Sequence, residues 1–292
     1  MGNIITYIGN TPLVEIQKIN PNPDVKIFAK LEGNNPGGSV KDRAALNMIR
    51  SAIERGEIKK GTKLIEATSG NTGIALAMIA GIYDLEIELV MPANSTKERT
   101  LTMEAFGAKV TLLDSIEICR DYATEKGAEP GYFILDQFAN PDNYLAHYKT
   151  TGPEIWRDTN GQVTHFVSAM GTTGSIMGNS MFLKEKNPEI RIIGCQPTEE
   201  SSIPGIRRWP EEYLPKIFDP SRVDRVMDVS EDEAGQYARL MARKEGIFAG
   251  TSSGGALACA LRLATELHSG TIVFIACDRG DRYLSSDLFL QK

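Results

Sequence analysis

The chain has 292 residues, 41% of them apolar, enough for a packed core and far from the composition of a disordered chain. Its net charge of −6 comes from intermixed acidic and basic residues, which disfavours nucleic acid as a partner. Cys119, Cys195, Cys259 and Cys277 are scattered, and His147, His165 and His268 add no ligand spacing, so neither a disulfide framework nor a metal site is expected.

No apolar run is long enough to span a bilayer, and no charged stretch leads into an apolar run at the start. A cytoplasmic protein without a membrane partner is expected. Met1–Thr6 matches a myristoylation pattern and Asn94-Ser95-Thr96 a glycosylation pattern, but both patterns are loose.

In chain order, strands alternate with helices. Lys63–Ala67 reads as a buried strand, followed by a glycine turn and an apolar helix over Ile74–Gly81. Glu86–Met91 is the next strand. Ser95 and Glu98 have the spacing of a capping box for a helix ending near Phe106. Lys109–Leu113 and Tyr132–Gln137 read as strands around a helix over Ile116–Glu125. In the second half, Thr164–Met170 is a strand leading through a glycine turn to a helix ending near Lys186. Arg191–Gln196 and Val223–Val229 are strands, and the proline-rich stretch between them reads as irregular. Ser230 caps a helix to about Glu245, Gly254–His268 is a helix, and Thr271–Cys277 a strand. This alternation predicts an α/β chain with two parallel sheets, one ending near Gln137 and the other starting near Thr164. The cleft between them is the expected ligand site.

Four segments carry chemistry. In the first, Gly37 and Gly38 make a loop, and Ser39 with Asp42 resembles a helix N-cap. Val40, Ala44, Met48 and Ala52 then recur every four residues, so Lys41 falls in the first turn of a helix. A cation there is opposed by the macrodipole, and burial lowers its pKa further. A neutral amine suits Schiff-base chemistry, although by itself such a lysine reads more simply as a solvated side chain. In the second, Thr68-Ser69-Gly70-Asn71-Thr72-Gly73 links a strand to a helix, with hydroxyls and N–H groups suited to a carboxylate or phosphate. The third, Gly171-Thr172-Thr173-Gly174-Ser175, has the ingredients of a phosphate cradle but fits neither a Walker loop nor the dinucleotide pattern. The fourth, Gly250 to Gly254, matches the nucleophile elbow of a hydrolase, centred on Ser252. The only later histidine is His268, on the helix that follows, with Glu266 the only intervening acid, so a triad is not expected.

Together these motifs resemble the fold type II, tryptophan-synthase-β-like enzymes that use pyridoxal 5'-phosphate, and among them the cysteine synthases (O-acetylserine sulfhydrylases). Ile8–Leu13 looks like that family's opening, and Glu66–Gly73 is a nearly complete family string. Ile206–Pro210 and Cys277–Leu284 resemble the B type of the family. The resemblance implies two parallel-rich open sheets flanked by helices, with the active site in the cleft between them. It further implies a smaller mobile domain over 36–147 and a larger one over 1–35 and 148–292. By position, Lys41 would be the Schiff-base lysine and the base at the substrate's α-carbon. Asn71 would bond the ring hydroxyl, Gly171, Thr172, Thr173, Gly174 and Ser175 the phosphate, and Ser252 would face the pyridine nitrogen. Thr68, Ser69, Thr72 and Gln137 would hold the substrate carboxylate. Arg207 and Arg208 would suit a bulky anion near the cleft, and Cys277 and Asp278 would be further substrate-binding residues. Gly37 and Ser175 stand where close relatives often have alanine and threonine.

The activity so implied is β-replacement on O-acetyl-L-serine by sulfide, and by thiosulfate to give S-sulfo-L-cysteine. A cystathionine β-synthase-like or dehydratase-like reaction on the same fold is the alternative, and a non-catalytic binding protein is the alternative outside it. A homodimer is implied, without a stable serine acetyltransferase complex.

Overall fold

The computed structural model describes residues 2–68, 70–93 and 95–290. Ser69 of the carboxylate turn and Asn94 of the glycosylation-like triplet therefore lie outside the described residues.

Among the described residues, ten strands fall into two sheets. The smaller has the order β5 (Lys109–Leu113), β4 (Glu86–Pro92), β3 (Lys63–Ala67), β6 (Tyr132–Ile134), all parallel. The larger has the order β1 (Leu13–Glu15), β2 (Val25–Leu31), β10 (Gly270–Ala276), β7 (His165–Ala169), β8 (Arg191–Pro197), β9 (Arg225–Val229), parallel except at the β1–β2 edge. Parallel strands need crossover helices, which is why both sheets are covered on both faces.

On the smaller sheet, α1 (Lys41–Glu54) and α2 (Asn71–Ile82) pack into one apolar core with Met48, Leu76, Ile79 and Leu89. Helix α4 (Ile116–Gly127) closes the other face through Cys119 and Ala123 against Ile65 and Val90. Thr72 through Ala80 are all buried, so α2 is apolar all round and runs inside the lobe. On the larger sheet, α8 (Glu231–Glu245) and α9 (Thr251–Glu266) pack with Phe274 and Val167 on one side. Helix α7 (Gly174–Lys186) packs with Phe166 and Ile275 on the other.

Several boundaries differ from the sequence expectation. Helix α3 (Lys97–Ala105) starts with Thr96 at the cap position and has no side-chain cap bond, so the Ser95–Glu98 box does not form. The Ser230 cap does form, accepting from the Glu233 N–H. Strand β6 ends at Ile134, and the chain then turns through Asp136 at φ +50°. Helix α9 begins at Thr251, three residues before its expected start, which puts Ser252 in its first turn. Gly254 is needed for packing, since a Cβ there would lie 2.0 Å from the Ala234 carbonyl oxygen, where α9 crosses α8. The elbow-like glycine spacing thus reflects close helix packing.

Strands β1 and β2 and helices α5 (Pro141–Lys149) and α6 (Thr151–Asp158) were not expected from hydropathy. They hold a buried ion network. Arg43, in the first turn of α1, bonds Glu32 through Nε at 2.7 Å and Nη2 at 2.8 Å. It bonds Glu154 of α6 through Nη1 at 2.7 Å and Nη2 at 2.8 Å. Lys30 of β2, fully buried, reaches Glu154 at 2.8 Å and the Thr11 carbonyl at 2.6 Å. Burial alone would raise both carboxyls, but the Arg43 charge and hydrogen bonds outweigh it. Glu154 is held at about 2, and Glu32 is lowered too. Replacing Arg43 by alanine leaves two buried carboxylates short of a partner. It should destabilise the fold by about 3–5 kcal/mol. Urea unfolding at neutral pH measures this, and a loss below about 1 kcal/mol would contradict it.

Candidate active site

Three strand-to-helix or loop-to-helix turns meet where the two sheets face each other. The first opens α1. The Val40 N–H donates to the Cys277 carbonyl at 2.8 Å, and Ser39 pairs with Asp278 across a single antiparallel bridge. The start of α1 is thereby pinned to the end of β10. The Lys41 N–H donates to Ser39 Oγ at 3.2 Å, so Ser39 supports the helix start although Val40 occupies the cap position. Burial lowers the Lys41 ammonium, while the Cys277 and Asp278 charges act against that. Desolvation is therefore the force that favours the neutral amine here.

The second turn opens α2 at Asn71. Thr68, Thr72 and Gln137 are buried. Thr72 Oγ1 donates to Gln137 Oε1 at 2.8 Å, and Gln137 Nε2 donates to the Ala67 carbonyl at 3.3 Å. The turn after β6 thus swings Gln137 over the end of β3, into contact with the carboxylate turn. Asn71 Nδ2 donates to Asp278 Oδ2 at 2.7 Å, and the Tyr283 hydroxyl donates to the same oxygen at 2.7 Å. Asp278 Oδ1 is buried without a hydrogen-bond partner among the described residues. Burial raises the Asp278 carboxyl, and these donors restrain it.

The third turn, Gly171–Ser175, opens α7. Thr173 sits at the N-cap with φ +69°, a left-handed conformation costly for a β-branched residue. Its buried Oγ1 has no partner among the described residues, which leaves a donor hydroxyl unused in the turn. A Cβ on Gly174 would lie 2.1 Å from Asn143 Oδ1, and one on Gly171 would lie 2.6 Å from the Gly205 carbonyl oxygen. Asn143 Nδ2 donates to Thr172 Oγ1 at 3.1 Å and to the Gln137 carbonyl at 2.7 Å. That residue connects the third turn to the second. Trp209 Nε1 donates to the Gly171 carbonyl at 2.7 Å. A strained, glycine-walled turn at the start of a long helix, with an unused buried hydroxyl, suits a phosphate.

Behind this turn lies His147 of α5, to which the sequence alone assigns no role. Its Nε2 is 3.2 Å from Ser175 Oγ and its Nδ1 is 2.9 Å from Thr151 Oγ1. Burial first, then the Arg43 charge, pushes its pKa down to about 3, so the ring is neutral. Thr151 lies only four residues on, but Ser175 of α7 and the Arg43 charge come from elsewhere in the chain, so the local sequence does not signal the role.

Ser252 and Cys277 complete the floor. The Cys277 N–H donates to Ser253 Oγ at 2.9 Å, next to Ser252, and burial pushes the Cys277 thiol up to about 12. Cys277 is therefore no nucleophile at neutral pH. The expected arginine pair divides. Arg208 bonds Asp228 at 2.7 Å and the Pro197 carbonyl at 2.9 Å, at the outer end of β8. The Arg207 backbone N–H donates to the Met170 carbonyl, next to the glycine turn, and its guanidinium donates to the Ile206 carbonyl. Burial lowers its pKa, and the charge of Glu117 on α4 opposes this.

The chain matches the family of pyridoxal-phosphate dependent enzymes over residues 4–278. Cysteine synthase B of Pseudomonas aeruginosa is 58% identical over 289 residues, covering 98% of this chain and 97% of the relative. Cysteine synthase B of Salmonella typhimurium is 55% identical, covering 99% and 96%. The crystal structure of cysteine synthase from Entamoeba histolytica superimposes with a TM-score of 0.94 at 36% identity, covering 100% of this chain and 91% of that one.

The Gly174→Ala variant should retain the fold's stability within about 1–3 kcal/mol, the cost of local overpacking. It should lose at least about tenfold in affinity for pyridoxal phosphate, because Asn143 must move out of the turn. Equilibrium titration of the apoprotein checks this, and unchanged affinity would contradict the cradle.

Proposed function

The chain belongs to the pyridoxal-phosphate dependent enzymes, in their cysteine synthase branch, and from that premise we propose that it makes L-cysteine from O-acetyl-L-serine and sulfide. We propose also that it makes S-sulfo-L-cysteine when thiosulfate is the donor. The observation that carries the reading is the placement of Lys41. It is an amine whose pKa burial lowers, at a helix start pinned to β10, beside one turn suited to a carboxylate and another suited to a phosphate.

When bound, pyridoxal phosphate supplies an electron sink for the bond broken at the substrate's α-carbon. The Gly171–Ser175 turn would hold its phosphate, Asn71 its ring hydroxyl and Ser252 its ring nitrogen. Thr68, Ser69, Thr72 and Gln137 would bind the substrate carboxylate, so the α-carbon is presented to Lys41. Lys41 would hold the cofactor through Nζ, and that same amine is placed to take the substrate's α-proton and to return it after sulfur has replaced acetate at the β-carbon. Ser252 is a neutral partner and so leaves the sink weaker than an aspartate would, which favours elimination over transamination.

Four free cysteines support a reducing, cytoplasmic setting. An apolar surface groove of about 480 Å³ between Ile4, Pro36, Met78, Ile82 and Phe106 supports burial against a second copy, hence a homodimer. The resemblance of Ile206–Pro210 and Cys277–Leu284 to the B type supports an enzyme without a stable serine acetyltransferase complex. Residues 36–147 would be the part that closes on substrate, with the second turn as its sensor.

Lys41→Ala should lose the visible absorbance of the bound cofactor, and its turnover of O-acetylserine should fall by at least about 10²-fold. A colourless wild-type protein after pyridoxal phosphate is added would sink the reading. Product analysis with serine in place of O-acetylserine separates the condensing and dehydrating alternatives. Between donors, Arg207→Ala should depress thiosulfate turnover about tenfold more than sulfide turnover, because the dianion needs the cation more. Equal loss with both donors would contradict that role.

A further inference from the structure

We propose that Arg282 is a positioning residue for Asn71, fixing which way its side-chain amide faces from the opposite wall of the cleft. The proposal rests on the cofactor reading above. Arg282 lies in the short helical turn Gly280–Tyr283, which follows the larger sheet's β10, while Asn71 opens α2 on the smaller sheet.

A primary amide has one acceptor atom and two N–H donors, and exchanging its ends reverses what it offers. Here both ends are matched by charged groups. Arg282 Nη1 donates to Asn71 Oδ1, and Asn71 Nδ2 donates to Asp278 Oδ2 at 2.7 Å. The flipped amide would set N–H against guanidinium and oxygen against carboxylate, replacing two charge-assisted bonds with two repulsive contacts. One N–H of Nδ2 is engaged with Asp278, so the second is left to serve a ligand in a defined orientation.

The same guanidinium has a second contact. Its Nη2 donates to the Gly37 carbonyl, in the loop that precedes Lys41. The Gly37 N–H in turn donates to Asp42 Oδ2 at 2.5 Å. One planar fork therefore sets both the Asn71 amide and the loop before Lys41. Gly38 leaves room for it: the backbone there has φ +80°, and an added Cβ would lie 2.6 Å from Arg282 Nη2. Lysine carries the same charge but cannot span both acceptors with two parallel N–H bonds. By contrast, the Arg279 guanidinium pairs with Asp281 at the surface.

The test uses purified holoenzyme of Asn71→Ala, Arg282→Lys, the double variant, and Arg279→Lys as a control. Two quantities are read: the ratio of the cofactor's visible to near-ultraviolet absorbance across pH, and the dissociation constant of pyridoxal phosphate from the apoprotein. Arg282→Lys should reproduce the direction of the Asn71→Ala spectral change and weaken cofactor binding about tenfold. The double variant should lose clearly less than the sum of the two single losses, because the share of the Arg282 effect that passes through that amide is already gone in Asn71→Ala. Arg279→Lys should match the wild type. Arg282→Gln serves the same comparison if the lysine variant folds poorly. Asn71→Ala with a changed spectrum beside Arg282→Lys with an unchanged one would overturn the proposal alone. Additive losses in the double variant would reduce Arg282 to a structural tie and overturn it as well. An unchanged spectrum in Asn71→Ala would overturn the cofactor contact assigned to Asn71 and the proposal together.

Discussion

Arg43 is the interaction on which the site's geometry depends. Its guanidinium is clamped by Glu32 on one side and Glu154 on the other, with Thr11 on the remaining edge at 3.1 Å. All three partners come from outside the smaller sheet, yet Arg43 belongs to the helix that begins at Lys41. The network thus sets where Lys41 sits relative to the larger sheet. Buried ion pairs of this kind add little net stability over an apolar substitute of the same shape, because desolvation consumes most of the Coulomb gain. Their effect is directional. Four hydrogen bonds from one rigid fork to two carboxylates allow one placement of α1, where apolar packing would allow several.

The contacts that cross the cleft end on loops that bear site residues. Val40 to Cys277, Ser39 to Asp278 and Asn71 to Asp278 gather the first two turns around the end of β10. On the far side, Phe138 packs edge-on against Trp209 at 5.6 Å, and the Arg120 guanidinium lies over Phe138 at 4.9 Å. Trp209 in turn holds the Gly171 carbonyl. Both ends of the cleft therefore link lobe position to turn geometry. Polar and aromatic contacts of this kind are cheaper to break than a shared apolar core, which is consistent with the closure proposed for residues 36–147.

Much of the site was legible in the sequence, and the reason is local. Lys41 and the turns at residues 68–73 and 171–175 are contiguous strings whose glycines and hydroxyls act within a few residues of one another. The alternation of strands and helices was likewise readable where one face of each element is apolar. Charge hid the rest. Strand β2 carries Lys26 and Lys30, which break its hydropathy, and Lys30 is buried only because Glu154, far away in sequence, pairs with it. His147 is partly the same case: Thr151 is four residues on, but Ser175 reaches it from α7. The elbow-like glycines around Ser252 were readable as a pattern, but their cause, the crossing of α9 over α8, needs the tertiary structure.

The two adjacent arginines show how far a shared motif can mislead about shared work. Arg207 and Arg208 are neighbours, so a sequence reading assigns them together. In the structure their side chains meet different partners. Arg208 completes an ion pair with Asp228 and caps the end of β8 through the Pro197 carbonyl. Its charge is already answered there. Arg207 is desolvated, and Glu117 is the acidic group whose charge reaches it. A partly buried guanidinium without a carboxylate in direct contact is costly until an anion pairs with it. That cost would fall on pairing with an anion, which is the physical ground for the donor role proposed for Arg207, whereas Arg208 is already paired and ties its own segment to β8 and β9.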